Sequence, residues 1–104
     1  MVLYQLVFYV PKTYVESVKS AVFSAGAGKS GDYDHCSWQV LGQGQFRPLL
    51  GSSPFLGNEG NVETVEEYRV EMVMAAAVRD VVIAALKQAH PYEEPAYSVW
   101  PLET

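Results

Sequence analysis

The segment from Val2 to Val10 is almost continuously hydrophobic, rich in β-branched and aromatic side chains, and closed by Pro11. A strand with one wet face alternates apolar and polar residues, whereas an unbroken apolar run marks a strand covered on both faces. This segment is therefore predicted to be central in a sheet. The rest of the chain must supply strands for both of its edges and cover for its faces.

Thr13 and Glu16 have the S/T-x-x-E spacing of a capping box. Val15, Val18, Val22 and Ala25 follow at helical spacing, with Gly26 as a stop signal, which predicts a helix of about three turns. Gly26 to Asp34 reads as a structured loop leading to a strand over Cys36 to Leu41, and Gly42 to Pro48 continues extended, its glycines marking a bulge or a close backbone approach. Gly51 to Asn61 is a turn-rich excursion. From Val65 to Ala76 one set of alternate residues, Glu66, Tyr68, Val70, Met72 and Met74, is assigned to the core face. Val78, Val81, Val82, Ala85, Leu86 and Ala89 form a second amphipathic helix stopped at Pro91, and Ala96 to Trp100 is a last strand. The order β-α-β-β-α-β is that of an α+β, ferredoxin-like unit: a four-stranded antiparallel sheet with two helices on one face. The other face is left to find cover. Tyr4, Trp38, Tyr68 and Trp100 are candidates to lie on it or at an edge, and burial against identical subunits is the usual solution.

At 104 residues the chain makes one domain, able to bury more than ~60% of its unfolded surface without staples. Hydrophobic residues are 49% and charged residues 18% of the sequence, which excludes disorder. The net charge of −5 leaves little with which to neutralise phosphates, so neither nucleic acid nor an anionic membrane is expected as a partner. One cysteine, Cys36, rules out an internal disulfide framework. With no bilayer-length apolar run and no signal-peptide pattern, a cytoplasmic protein is expected.

The densest chemistry lies in His90-Pro91-Tyr92-Glu93-Glu94-Pro95. The imidazole of His90 and the carboxylates of Glu93 and Glu94 are divalent-metal or proton ligands, presented by a backbone that two prolines restrict. The same residues also suit a plain helix-to-strand junction, with His90 at a helix C-terminus. His35 and Cys36 are further ligand types, and either one with His90 and Glu93 or Glu94 makes a mixed set for zinc or copper. Neighbours on a regular strand point to opposite faces, so at most one of the two joins. Gly28-Lys29-Ser30 ends like a phosphate-binding loop, but Phe23 stands where the first glycine is required and a helix precedes it. No nucleophile or acid/base pair is marked, so an enzyme is not expected.

Several separated motifs, Gly26 to Trp38, Gly42 to Pro48, Gly51 to Gly57, Val65 to Glu71 and His90 to Tyr97, resemble, in the same order, the inserted domain of the Nif-three-like proteins (the NGG-one-interacting-factor-three family). The closing motif also resembles the end of the CutA divalent-cation-tolerance proteins. The resemblance implies a PII/CutA-like fold that commonly assembles as a trimer. It further implies a stand-alone version of the inserted domain, without the flanking segments that supply the family's di-metal ligands, so that no di-metal hydrolase activity carries over. The function expected is a non-enzymatic, small-ligand-binding or regulatory homo-oligomer. Its cleft would be lined by the Gly26 to Cys36 loop, the Gly42 to Pro48 segment and His90 to Glu94, with Gly28, Lys29, Tyr33 and Arg47 as ligand contacts. The alternatives are a CutA-like divalent-metal binder using His90, Glu93, Glu94, His35 and Cys36, and a structural cap for a separately encoded protein partner.

Overall fold

The apolar run that opens the chain forms strand β1 (Leu3–Pro11), and it is paired on both edges. In the computed structural model, which describes residues 2–103, β3 (Glu63–Ala75) runs antiparallel to β1 from Leu3↔Ala75 to Pro11↔Glu67. On the other side β4 (Tyr97–Pro101) pairs antiparallel from Tyr4↔Pro101 to Phe8↔Tyr97. The remaining strand, β2 (Trp38–Phe46), pairs with the outer edge of β3 from Trp38↔Glu71 to Phe46↔Glu63. The sheet order is β2-β3-β1-β4, the antiparallel ferredoxin-like arrangement predicted from the hydrophobic pattern.

Helices α1 (Val15–Ser24) and α2 (Arg79–Ala89) cover one face. Under them lie Leu6, Phe8 and Val10 of β1 and Val70, Met72 and Met74 of β3, joined by Val18 and Val22 of α1 and Val82 and Leu86 of α2. Each such fully buried side chain contributes roughly 1.5–3 kcal/mol relative to exposure, so this layer supplies most of the stability. Val7 is only 2% exposed although it points to the other face; this is the double burial that the continuous run of β1 implied. Tyr4 and Tyr68 pack against the helix-side core. They share its parity with Leu6 and Val70, which corrects their candidacy for the uncovered face and bears out the core-face assignment of Tyr68. Trp38 and Trp100, opposite Glu71 and Gln5, do lie there, and are 59% and 40% exposed. Val81, placed in the apolar stripe of α2 by its spacing, is instead 55% exposed.

Both strand-to-helix junctions are built alike. A 3-10 turn, Lys12–Tyr14 before α1 and Ala76–Val78 before α2, feeds each helix, and neither helix has a side-chain N-cap. The Thr13/Glu16 capping box is therefore not formed. Thr13 sits inside the turn, and Glu16 accepts from Lys19 at 3.3 Å. The core-facing valines set where α1 begins, and packing overrides the local capping signal.

The Gly26 to Asp34 segment is ordered by its own backbone. Gly28 N–H donates to Val73 O at 2.8 Å, Cys36 N–H donates to Gly28 O at 2.8 Å, and Ser30 and Tyr33 exchange two bonds of 2.9 Å around Gly31 and Asp32. Among the described residues no helix is long and apolar enough to cross a membrane.

Two glycines of this loop give a test of its rigidity. Gly28 has φ +80°, and a Cβ there would stand 2.6 Å from the Phe23 ring and 3.0 Å from Cys36 O. Gly31 has φ +56° with nothing within 4 Å. We expect Gly31→Ala to cost about 1 kcal/mol, the ordinary left-handed penalty, and Gly28→Ala at least about twice that, read from urea midpoints. Equal costs would mean that the loop is not packed as described.

Candidate functional site

His90 ends α2 with extended backbone angles and is 5% exposed. Pro91 follows immediately and prevents the helix from continuing. The imidazole Nε2 lies 2.6 Å from the Tyr9 carbonyl oxygen, and Nδ1 accepts the Tyr92 N–H at 3.1 Å. A nitrogen facing a carbonyl must carry the proton and one facing an N–H must not, so the ring is the neutral Nε2–H tautomer with both nitrogens engaged. Burial lowers its pKa, outweighing the opposing influence of the Tyr9 carbonyl and the Glu67 charge.

This tie places Tyr92 over the end of the sheet. The Tyr92 hydroxyl donates to Glu67 Oε2 at 3.0 Å, and burial, followed by the hydrogen bond and charge of Glu67, raises the phenol well above the usual tyrosine range. Glu67 in turn lies across Gly44 on the neighbouring strand. A Cβ at Gly44 would fall 1.9 Å from Glu67 Oε1, so the glycine leaves the room that the carboxylate occupies. Phe46 and Phe55 flank Tyr92, with ring centroids 5.9 and 6.4 Å away and planes tilted by 59° and 50°. Phe55 comes from the excursion after β2. That excursion is closed by Gly60 N–H to Pro48 O at 2.7 Å, tied to the motif by Ser53 N–H to Glu93 Oε2 at 3.1 Å, and braced by Tyr14 edge-on to Phe55 at 5.4 Å.

Together these groups wall a cleft of about 280 Å³ lined by the rings of Tyr9, Phe46, Phe55 and Tyr92 and the carboxylates of Glu67, Glu93 and Glu94. Its size is just below the roughly 300–1,000 Å³ common for ligand pockets.

The residues singled out from the sequence divide between the two ends of the sheet. His90, Glu93 and Glu94 share the cleft end with the Gly42 to Pro48 segment. The Gly26 to Cys36 loop sits at the other end of β3, bonded to Val73, whereas the cleft is at Glu67. At ~3.3 Å per residue the two are about 20 Å apart along the strand. Within one chain the cleft therefore draws on two of the three expected segments and lacks the Gly26 to Cys36 loop. Gly28 donates its N–H to Val73 O. Lys29 and Tyr33 are exposed in that distal loop, and Arg47 is exposed beside the cleft without lining it. His35 packs against Phe23 with centroids 4.8 Å apart and planes tilted by 51° and lies 3.2 Å from Asp34, and Cys36 Sγ approaches Asp34 O at 3.7 Å. Neither comes near His90. Among the described residues no three His, Cys, Asp or Glu side chains gather as a metal centre requires. Sequence reasoning missed Glu67, Phe55 and Tyr9, and it included Phe46 and Tyr92 only as members of the expected lining segments, without a role. The Gly42-x-Gly44 spacing was their one visible signal, marking a close approach without naming what approaches.

No family model matches the chain. A GTP cyclohydrolase 1 type 2 homolog of Mycobacterium bovis is 54% identical over 96 residues, 92% of this chain and 25% of that protein. Among solved structures, a Bacillus cereus protein related to NIF3 superposes with a TM-score of 0.84 at 41% identity, covering 99% of this chain and 26% of that one. The chain is homologous to the inserted-domain region of the NIF3-related proteins. It spans about a quarter of the length of the curated relatives it matches. The periplasmic divalent cation tolerance protein CutA of Archaeoglobus fulgidus superposes with a TM-score of 0.69 at 15% identity over 98% of this chain and 85% of that one. At that identity the likeness concerns the fold, and the NIF3-type insert is thus CutA-like in architecture.

The His90 tie has a pH signature. A base with a lowered folded pKa contributes stability that is full above its unfolded value, about 6.5, and is lost as pH falls through that value toward the lower folded one, because the unfolded chain takes the proton first. We expect urea midpoints to fall between about pH 7.5 and 5, and His90→Gln to flatten that fall. His90→Ala at pH 7.5 should cost about 2 kcal/mol through the buried carbonyl and amide it leaves without partners. A variant with unchanged pH dependence would show that His90 is not the titrating tie.

Proposed function

We propose that this domain is a non-enzymatic, small-ligand-binding or regulatory module that acts as a homo-oligomer, with its ligand in the cleft at the His90 to Glu94 end of the sheet. One observation carries the reading: the cleft wall is tied to the sheet by the protein's own hydrogen bonds, through the chain Tyr9 carbonyl, His90, Tyr92, Glu67. Preorganised walls spare a ligand the ordering cost that otherwise weakens binding. The same chain argues against proton-transfer chemistry. His90 is kept neutral with both nitrogens engaged and Tyr92 is kept protonated, whereas a general acid or base needs a pKa near the working pH. The cyclohydrolase name borne by the relatives belongs to proteins of which this region is about a quarter. Self-association is supported by the open sheet face, where Trp38, Val40 and Trp100 are 59%, 44% and 40% exposed. These apolar groups lie on both edges of that face, with Glu71, Arg69 and Gln5 between them, and we take the face as an interaction surface.

Two measurements test the two halves. In amide NMR spectra, probes of three classes (organic cations, neutral aromatics and anions), each at millimolar concentration, should include at least one that shifts the signals of Phe46, Phe55 and Tyr92; silence from all three would end the ligand-binding reading. Sedimentation equilibrium at micromolar concentration should give an oligomer, and Trp38→Glu should shift it toward monomer; a monomeric wild type would end the self-association reading.

A further inference from the structure

The cleft's chemistry selects among ligands. Its walls carry rings of Tyr9, Phe46, Phe55 and Tyr92 and carboxylates of Glu67, Glu93 and Glu94, with no lysine or arginine among the lining residues. Of the cations close to this end, Arg47 is exposed beside the cleft without lining it, Arg69 lies over the ring of the wall residue Tyr9 at 5.9 Å, and the others have partners outside the cleft. Arg69 donates to the Tyr9 hydroxyl at 3.2 Å and stands 3.8 Å from Glu71, Lys12 stands 3.8 Å from Glu66, and Lys87 lies over the Tyr97 ring at 5.7 Å, in a neighbouring depression shared with Glu93 and Glu94. The carboxylates differ in how they are committed. Glu67 Oε2 accepts from Tyr92 and Glu93 Oε2 from the Ser53 amide, and each carboxylate has a second oxygen. A phosphate or a carboxylate entering this cleft would meet negative charge on several sides.

The rings give the attractive half of the argument. Tyr92 stands between Phe46 and Phe55 at tilts of 59° and 50°, so their surfaces form a concave wall and not a flat stack. Aromatic faces carry negative potential and attract a cation within about 6 Å of the ring centroid, most strongly where water is excluded. A soft, weakly hydrated cation with methyl or methylene groups uses both the rings and the apolar wall. A bare metal ion uses neither, and it would find no ring nitrogen of His90 to bind.

We infer that the cleft is a site for a small organic cation of the alkylammonium class, with the Phe46, Phe55 and Tyr92 rings packing on its alkyl groups and Glu67 and Glu94 facing its charge. The inference rests on the ligand-binding reading of this cleft and adds the ligand's class.

The test compares choline with its uncharged isostere 3,3-dimethylbutan-1-ol and with inorganic phosphate, titrated into the intact chain and followed by amide NMR. Phe55→Leu and Glu67→Gln serve as variants, and circular dichroism confirms that each is folded. Phe55 belongs to the excursion and not to the core, so its replacement leaves the fold in place. Choline is expected to bind at least about fivefold more tightly than the isostere, with phosphate silent, and each variant should weaken choline by a similar factor while changing the isostere little. Equal or tighter binding of the isostere, or binding of phosphate in the cleft, overturns the assignment to cations and leaves the ligand-binding reading standing. Silence from all three probes overturns the cation assignment, and silence from the wider set of probe classes ends both. Choline binding that neither variant weakens overturns the site.

Discussion

The link between the His90 imidazole and the Tyr9 carbonyl organises one whole end of this molecule. β1 is the central strand, and its carbonyl at Tyr9 is met by a side chain from the end of α2, while the Tyr9 N–H donates to Ala96 O at 3.2 Å. The helix end, the Pro91 to Pro95 turn and the start of β4 are thereby fixed to the sheet at one residue. From that anchor Tyr92 reaches Glu67, Glu67 settles over Gly44, and the excursion after β2 closes over the aromatic wall. Because a buried polar group is costly unless it is satisfied, the neutral imidazole with both nitrogens bonded is first of all a structural element. The cleft is what its position produces.

The architecture was legible because the hydrophobic pattern is strong and its periods are distinct. The unbroken run of β1 and the alternation of Val70, Met72 and Met74 fixed which strands are central, and the valine spacing of α1 fixed its buried face. Local signals fared less well where packing competes with them. The Thr13/Glu16 capping box lost to a 3-10 turn, since the position of Val15 and Val18 over the core decides where the helix starts. Tyr4 and Tyr68 show a second limit: size and aromaticity do not reveal a sheet face, whereas parity with Leu6 and Val70 does.

The site was only partly legible, for a geometric reason. His90, Glu93 and Glu94 are close in sequence, so their shared location followed from the chain itself. Whether a ligand-type residue keeps a lone pair to offer depends on the partners it meets in the fold, and for His90 those partners are Tyr9 O and Tyr92 N. The register of β2 on β3 decided that Gly44 would lie beside Glu67, and the same register sent the Gly28 to Cys36 loop to the far end of the sheet. Tyr92 stood inside the motif throughout. An isolated tyrosine carries no ligand signature, and its role comes from the carboxylate beneath it.

The chain has two tryptophans, and both stand on the sheet face away from the helices, Trp38 on one edge strand and Trp100 on the other. The core is built from aliphatic side chains, methionine and Phe8, with no indole in it. Intrinsic fluorescence in this protein is therefore a gauge of what lies against that face. Its emission responds to wetting or drying of the open sheet, and it is nearly blind to the helix-side interior, so a spectral change on dilution is to be attributed to uncovering of the sheet before it is read as loss of the fold.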